Sequence, residues 1–171
     1  MNNTELFAEV RSWLENEKLA FLADEEGTSF QMRMNLDNGL IPVRLLCEEA
    51  PPILQVICSI PVKVPKAKIS STGLVLHRLN LRLRVGAFHL EADAGLVLFR
   101  LAQPILAEAD MEQQFRDAFG VALNIVDDHV PPLALHFCAT PSAHETLANL
   151  RPVTEMDRAK PTMPKARFEW N

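Results

Sequence analysis

An α+β fold is predicted: an antiparallel β-sheet meander packed with helices, in the order α-β-β-β-β-α-β-β-α. Three patterns carry that prediction. Leu6, Phe7, Val10, Trp13 and Leu14 recur at helical spacing and form one apolar stripe. Phe30, Met32, Met34 and Leu36 alternate with Gln31, Arg33 and Asn35, the period of two of a half-buried strand. Asn38-Gly39 then accepts the positive φ angles of a type I′ turn, so the following segment should pair back as a hairpin.

The elements follow in order. The first helix is expected from about Thr4 to Glu17, capped by Asn2 with Glu5 as the reciprocal acceptor. Leu19 to Asp24 is a short apolar strand, and Glu25-Glu26-Gly27 a turn. Leu40 to Cys47 returns from the hairpin. Pro42 lacks an amide donor, which places that strand at an edge or gives it a bulge. Ile53 to Val62 is a further strand, rich in Val and Ile and bounded by prolines. Ser70, Ser71 and Thr72 are good helix starters, and Leu74, Val75, Leu76, Leu79 and Leu83 suit a helix running to about Arg82. Leu79, Leu81, Leu83 and Val85 also alternate strictly, so strand competes with helix there. A break is expected at Gly86, then a hairpin of Ala87 to Glu91 with Leu96 to Leu101. Asp110 caps the last helix, with Gln113 at its third position; Met111, Phe115, Ala118, Phe119, Ala122 and Val126 are its buried stripe. Pro131-Pro132 should end it. Asp127 and Asp128 would then sit in the last turn, against the helix dipole, so either the helix stops earlier or they have partners.

The chain of 171 residues fits one domain, residues 1–138, followed by a proline-bearing tail or arm over residues 139–171. The tail ends in Phe168-Glu169-Trp170, aromatics that suit either a loose end or an arm docking on a subunit. No secretory signal, lipidation motif or run of the ~20 apolar residues that span a bilayer is present, so a cytoplasmic protein without a membrane partner is expected. Cys47, Cys58 and Cys138 are widely spaced and odd in number, which predicts buried free thiols in a reducing compartment. The net charge of -5 disfavours nucleic acid as a partner. Charge is uneven, however. From Ala50 to Leu90 there is no acid, but there are Lys63, Lys66, Lys68, Arg78, Arg82 and Arg84, either a basic stripe for an acidic partner or ordinary solvated faces.

No linear motif for chemistry emerges. The six glycines form no phosphate loop, and the five histidines lack metal-ligand spacing. Asp127-Asp128-His129 is the best ligand cluster, but adjacent helical residues point in different directions. Cys58 lies in an apolar strand, where burial makes a thiol inert. No catalytic residue, cofactor or metal is therefore predicted.

The segment from Leu74 to Ile105 resembles the YbjN family, described as bacterial sensory transduction regulators. A leucine-rich helix ends in Arg78-Leu79-Asn80; Gly86 leads to a strand with Phe88 and Leu90; the return strand reads Val97-Leu98-Phe99-Arg100. The likeness extends over about Leu6 to Pro132. It implies a fold like that of type III secretion chaperones, small α+β homodimers that hold partly unfolded segments of other proteins on apolar patches. This chain differs in having no tyrosine, a milder acidity and the tail. The expected function is a non-enzymatic protein-binding module, chaperone-like or regulatory, acting as a homodimer and taking a protein or peptide partner. Leu74, Val75, Arg78, Leu79 and Arg82 are the expected partner or dimer face, because they mix apolar anchors with arginine. Asn80 is expected to cap the helix or take a left-handed backbone. The alternative is a small-ligand sensor or cryptic enzyme, with a pocket between sheet and helices near Cys58 or His89. Nucleic-acid binding ranks last, since no aromatic lies between Lys63 and Arg84 to stack a base.

Overall fold

The computed structural model describes residues 3–48 and 50–138. The Asn2 cap and the tail with Phe168 and Trp170 lie outside them. Helix α1 (Asn3–Asn16) precedes strands β1 (Leu22–Ala23), β2 (Ser29–Leu36), β3 (Gly39–Glu48) and β4 (Ile53–Ser59). Then come α2 (Ile69–Asn80), β5 (Ala87–Glu91), β6 (Leu96–Pro104) and α3 (Met111–Cys138). The order is the one the sequence predicts.

All neighbouring strands are antiparallel, and the sheet order is β1-β2-β3-β4-β6-β5. The first four strands are a meander. The last hairpin is not: β6 lies beside β4, and β5 takes the outer edge. The connection from β4 runs through α2, which packs on β5 and is long enough to carry the chain past the position β6 will fill. The β2–β3 hairpin forms where expected, but its turn is centred on Asp37-Asn38, because Leu36 pairs with Gly39. Neither central residue has a positive φ; Gly39 does, at 136°, so the turn is not type I′.

Pro42 resolves differently from either expectation. Strand β3 is interior and pairs on both sides, but its ladder with β4 begins only at Val43, opposite Cys58. The missing amide of Pro42 faces β4 at the step where that ladder stops. Gly86 does break the chain: it has φ 69°, and a Cβ there would meet Arg100 O at 3.0 Å.

The core lies between one face of the sheet and the helices. Trp13 of α1 is fully buried against Phe115 and Phe119 of α3, at ring distances of 5.9 and 5.5 Å. The Arg116–Glu17 ion pair ties α3 to the end of α1.

Two helix boundaries depart from the sequence reading. Ser70, Ser71 and Thr72 do not start α2. A 3-10 turn over Lys66–Lys68 leads in, Lys68 takes the cap position without a side-chain bond, and Ser71 donates back to Lys68 O (3.0 Å). The alternating leucines after Asn80 form no strand; Leu81 is 74% exposed.

The larger departure is α3, which continues through Pro131 and Pro132 to Cys138. A proline inside a helix costs ~3 kcal/mol, since it deletes a bond to the carbonyl four residues back. For Pro131 that carbonyl is Asp127 O. Asn38, at the hairpin tip, donates its Nδ2 to this oxygen (3.1 Å), and its backbone N–H to Asp127 Oδ1 (2.9 Å). Because α3 runs on to Cys138, Asp127 and Asp128 are not in its last turn; Asp127 instead holds the β2–β3 turn. Beyond the prolines Leu133 and Phe137 are buried, which favours continuing the helix past them.

Candidate functional site

Side-chain parity divides the sheet into unlike faces. Towards the helices point Phe30, Met32, Met34, Ile41, Val43, Leu45, Val56, Cys58 and Phe99, all buried. The opposite face carries Gln31, Arg33 and Asn35 of β2, Arg44 and Leu46 of β3, Ile57 and Ser59 of β4, and Leu98 and Arg100 of β6, all exposed or half-buried. Among the described residues no helix packs on it. In a protein of net charge -5 this face gathers three arginines, on β2, β3 and β6. Pairing places Gln31, Arg44, Ile57, Arg100 and Ala87 in one row across the sheet.

A concave hollow of about 670 Å³ opens on this face. Its lining includes Leu22, Arg33, Pro42, Arg44, Ile57 and Leu98. It lies where Pro42 stops the β3–β4 ladder. Arg44 is steadied by Ser29 Oγ, which accepts from Nε at 3.2 Å. Arg100 bonds Gln55, and its guanidinium stands 4.0 Å from Glu48. Among the described residues Arg33 and Arg44 have no carboxylate partner. The hollow is thus apolar at its floor and cationic at the β2–β3 end.

Residues 7–135 match the family model of YbjN, "putative bacterial sensory transduction regulator". The chain belongs to the YbjN family. No curated protein matches it.

Within the YbjN domain the Arg78-Leu79-Asn80 motif has a role that sequence reasoning missed. Asn80 neither caps the helix nor takes a positive φ. Its Nδ2 donates to Phe88 O (2.9 Å) and its Oδ1 accepts from Phe88 N (2.8 Å). Strand β5 is the sheet edge, so Asn80 occupies the one donor–acceptor pair that Phe88 turns outward, and clamps α2 to that edge. A spacing of eight residues between an Asn and an outward-facing edge residue is the only signal, and it is legible only with the edge known.

The expected partner face on α2 is split by the fold. Val75 and Leu79 are buried, at 0% and 1% exposure, and hold α2 on the subunit's own core. Leu74, Arg78 and Arg82 are exposed. The basic stripe is divided too: Lys68 Nζ donates to His136 O (2.7 Å), near the carbonyl end of α3. The three arginines of the open sheet face all come from outside that stripe. Strict alternation with buried neighbours could have found them.

The groups with reactive potential do not converge on the hollow. Burial pushes the Cys58 thiol up to about 12, and burial with the Asp24 charge does the same for Cys47. Cys138, expected buried, is exposed at the end of α3. Cys58 points into the core and His89 to the opposite face, so they share no pocket. Hydrogen bonds from Thr28 and Ser29 hold the Asp24 carboxyl well below its usual range and tie the β1–β2 connection. His129 Nδ1 donates to Ile125 O (2.6 Å), and its Nε2 is buried without a partner among the described residues. Among the described residues no three His, Cys, Asp or Glu side chains come together as metal ligands. No described helix is long and apolar enough to cross a membrane.

Proposed function

We propose that this YbjN-family chain is a non-enzymatic protein-binding module of the cytoplasm, chaperone-like or regulatory, that engages its partner on the open sheet face. The supporting observation is the contrast between the two faces: one sealed by helices, the other bearing Leu22, Ile57 and Leu98 among Arg33, Arg44 and Arg100. A mixture of aliphatic surface and arginine is the composition of protein interfaces. The family description as a regulator agrees with that reading. A homodimer completes it, joined through the outward side of α2, where Leu74 is 45% exposed next to Arg78.

Affinity capture from bacterial cytosol tests the binding surface. The full chain should retain a protein that the Ile57→Asp/Leu98→Asp variant releases, with both forms melting alike. An unchanged set of retained proteins would remove the open face from the account. Light scattering tests the dimer: Leu74→Glu should convert it to a monomer, and a wild-type monomer at high micromolar concentration ends that part of the proposal.

A further inference from the structure

The outer edge of β2 is covered along its first half only. Strand β1 pairs only Leu22 with Gln31 and Ala23 with Phe30. Asp24 N donates to Ser29 O, and Cys47 N to Thr28 O, which fixes the phase of the ladder. Ser29, Gln31, Arg33 and Asn35 therefore turn their backbone groups away from β3. Past Gln31, the outward N–H and C=O of Arg33 and Asn35 have no partner among the described residues. This contrasts with the opposite edge, where Asn80 fills the equivalent pair on Phe88. An unfilled edge is a template for another strand.

The side chains along that edge state what the strand should carry. Arg33 stands on it, and Arg44 is a diagonal neighbour on β3, both on the open face and both without a carboxylate. On the other side of the same edge, Met34 is buried under the helix layer. An added strand would place alternate residues over the arginines and the rest beside the apolar edge. Resting on the function proposed above, we infer that the partner contributes an extended segment of alternating acidic and apolar residues. It adds to β2 in line with β1 and sets its carboxylates on Arg33 and Arg44. A second copy of this chain suits the face poorly, since a two-fold contact would set the three arginines against their own copies. Nucleic acid would meet the same cations, but this face of strands β2–β6 presents no Phe or Trp on which a base could stack.

The test is fluorescence anisotropy on the full chain with three labelled probes: a peptide of about ten alternating Val and Glu residues, its Val and Lys counterpart, and single-stranded oligothymidylate. The Glu peptide should bind at least about tenfold more tightly than the Lys peptide, and Arg44→Glu should erase that preference. Asn35→Pro removes an outward amide and no charge, and an edge strand tolerates it; it should abolish Glu-peptide binding without lowering Tm. Binding should also slow hydrogen exchange at the Arg33 and Asn35 amides. Equal binding of the two peptides, indifference to Arg44→Glu or to Asn35→Pro, or tighter binding of the oligonucleotide would overturn the inference. So would failure of every probe. In each of those cases the affinity capture described above still decides, on its own, whether the open face binds protein.

Discussion

The two faces of one sheet are held to different standards. The helix side is filled by aromatic and aliphatic groups: Trp13, Phe30, Phe99, Phe115 and Phe119 are each under 2% exposed. The open side keeps half-buried aliphatics beside exposed arginines, two of which, Arg33 and Arg44, meet no carboxylate among the described residues. Stability lives on the first face. The second can change without unfolding the protein, which is what a surface reserved for another molecule requires.

The comparison can be broken hardest at Trp13. Trp13→Ala should cost about 3–5 kcal/mol, read by denaturant unfolding, because it empties space between α1 and α3 that their neighbours cannot refill. At the β5 edge, Asn80→Ala should cost about 1–3 kcal/mol, since both Phe88 backbone groups lose their partner, and should speed exchange of the Phe88 amide. A titration of stability sharpens the closed side further. Burial lowers the proton affinity of His129, and burial with the Lys68 charge lowers that of His136. Both therefore take up a proton less readily in the fold than in the unfolded chain, which protonates them below about pH 6.5. The unfolded state then binds more protons, so stability should be flat above that pH and fall as pH drops below it. Replacing His129 by Gln should reduce the slope. The smallest effect belongs to the open face: Arg33→Ala and Arg44→Ala should each move stability by no more than about 0.5 kcal/mol.

Much of this architecture was legible in the residues, and for a physical reason. Strict alternation in Phe30–Leu36 separates two faces, and every apolar member of that run is buried while Gln31, Arg33 and Asn35 are exposed. Helix α1 and the stripe from Phe115 to Val126 are equally plain, because their apolar spacing matches one helical face. What stayed hidden depends on contacts distant in sequence. Pro131 reads as a helix stop because the donor that replaces its lost bond, Asn38, is 89 residues from Asp127. Asn80 reads as a cap because nothing local shows that β5 is an edge. Val75 and Leu79 read as a binding face because α2 is apolar around much of its circumference, so sequence alone does not reveal which side meets β5. The candidate site moved from the helix to the sheet for that reason. The family likeness, drawn from packing and turn residues, predicted the fold without indicating the surface.

Photo-cross-linking from single positions asks most directly which face meets another protein. A reactive residue at Ile57 or Ser59, on the open sheet, and at Arg11 or Leu135, on the helix side, would be placed in the full chain inside bacterial cells. Adducts to a second protein should form from Ile57 and Ser59 and be sparse from Arg11 and Leu135. Adducts concentrated at the helix-side positions, with none from the sheet, would contradict the division of labour between the faces.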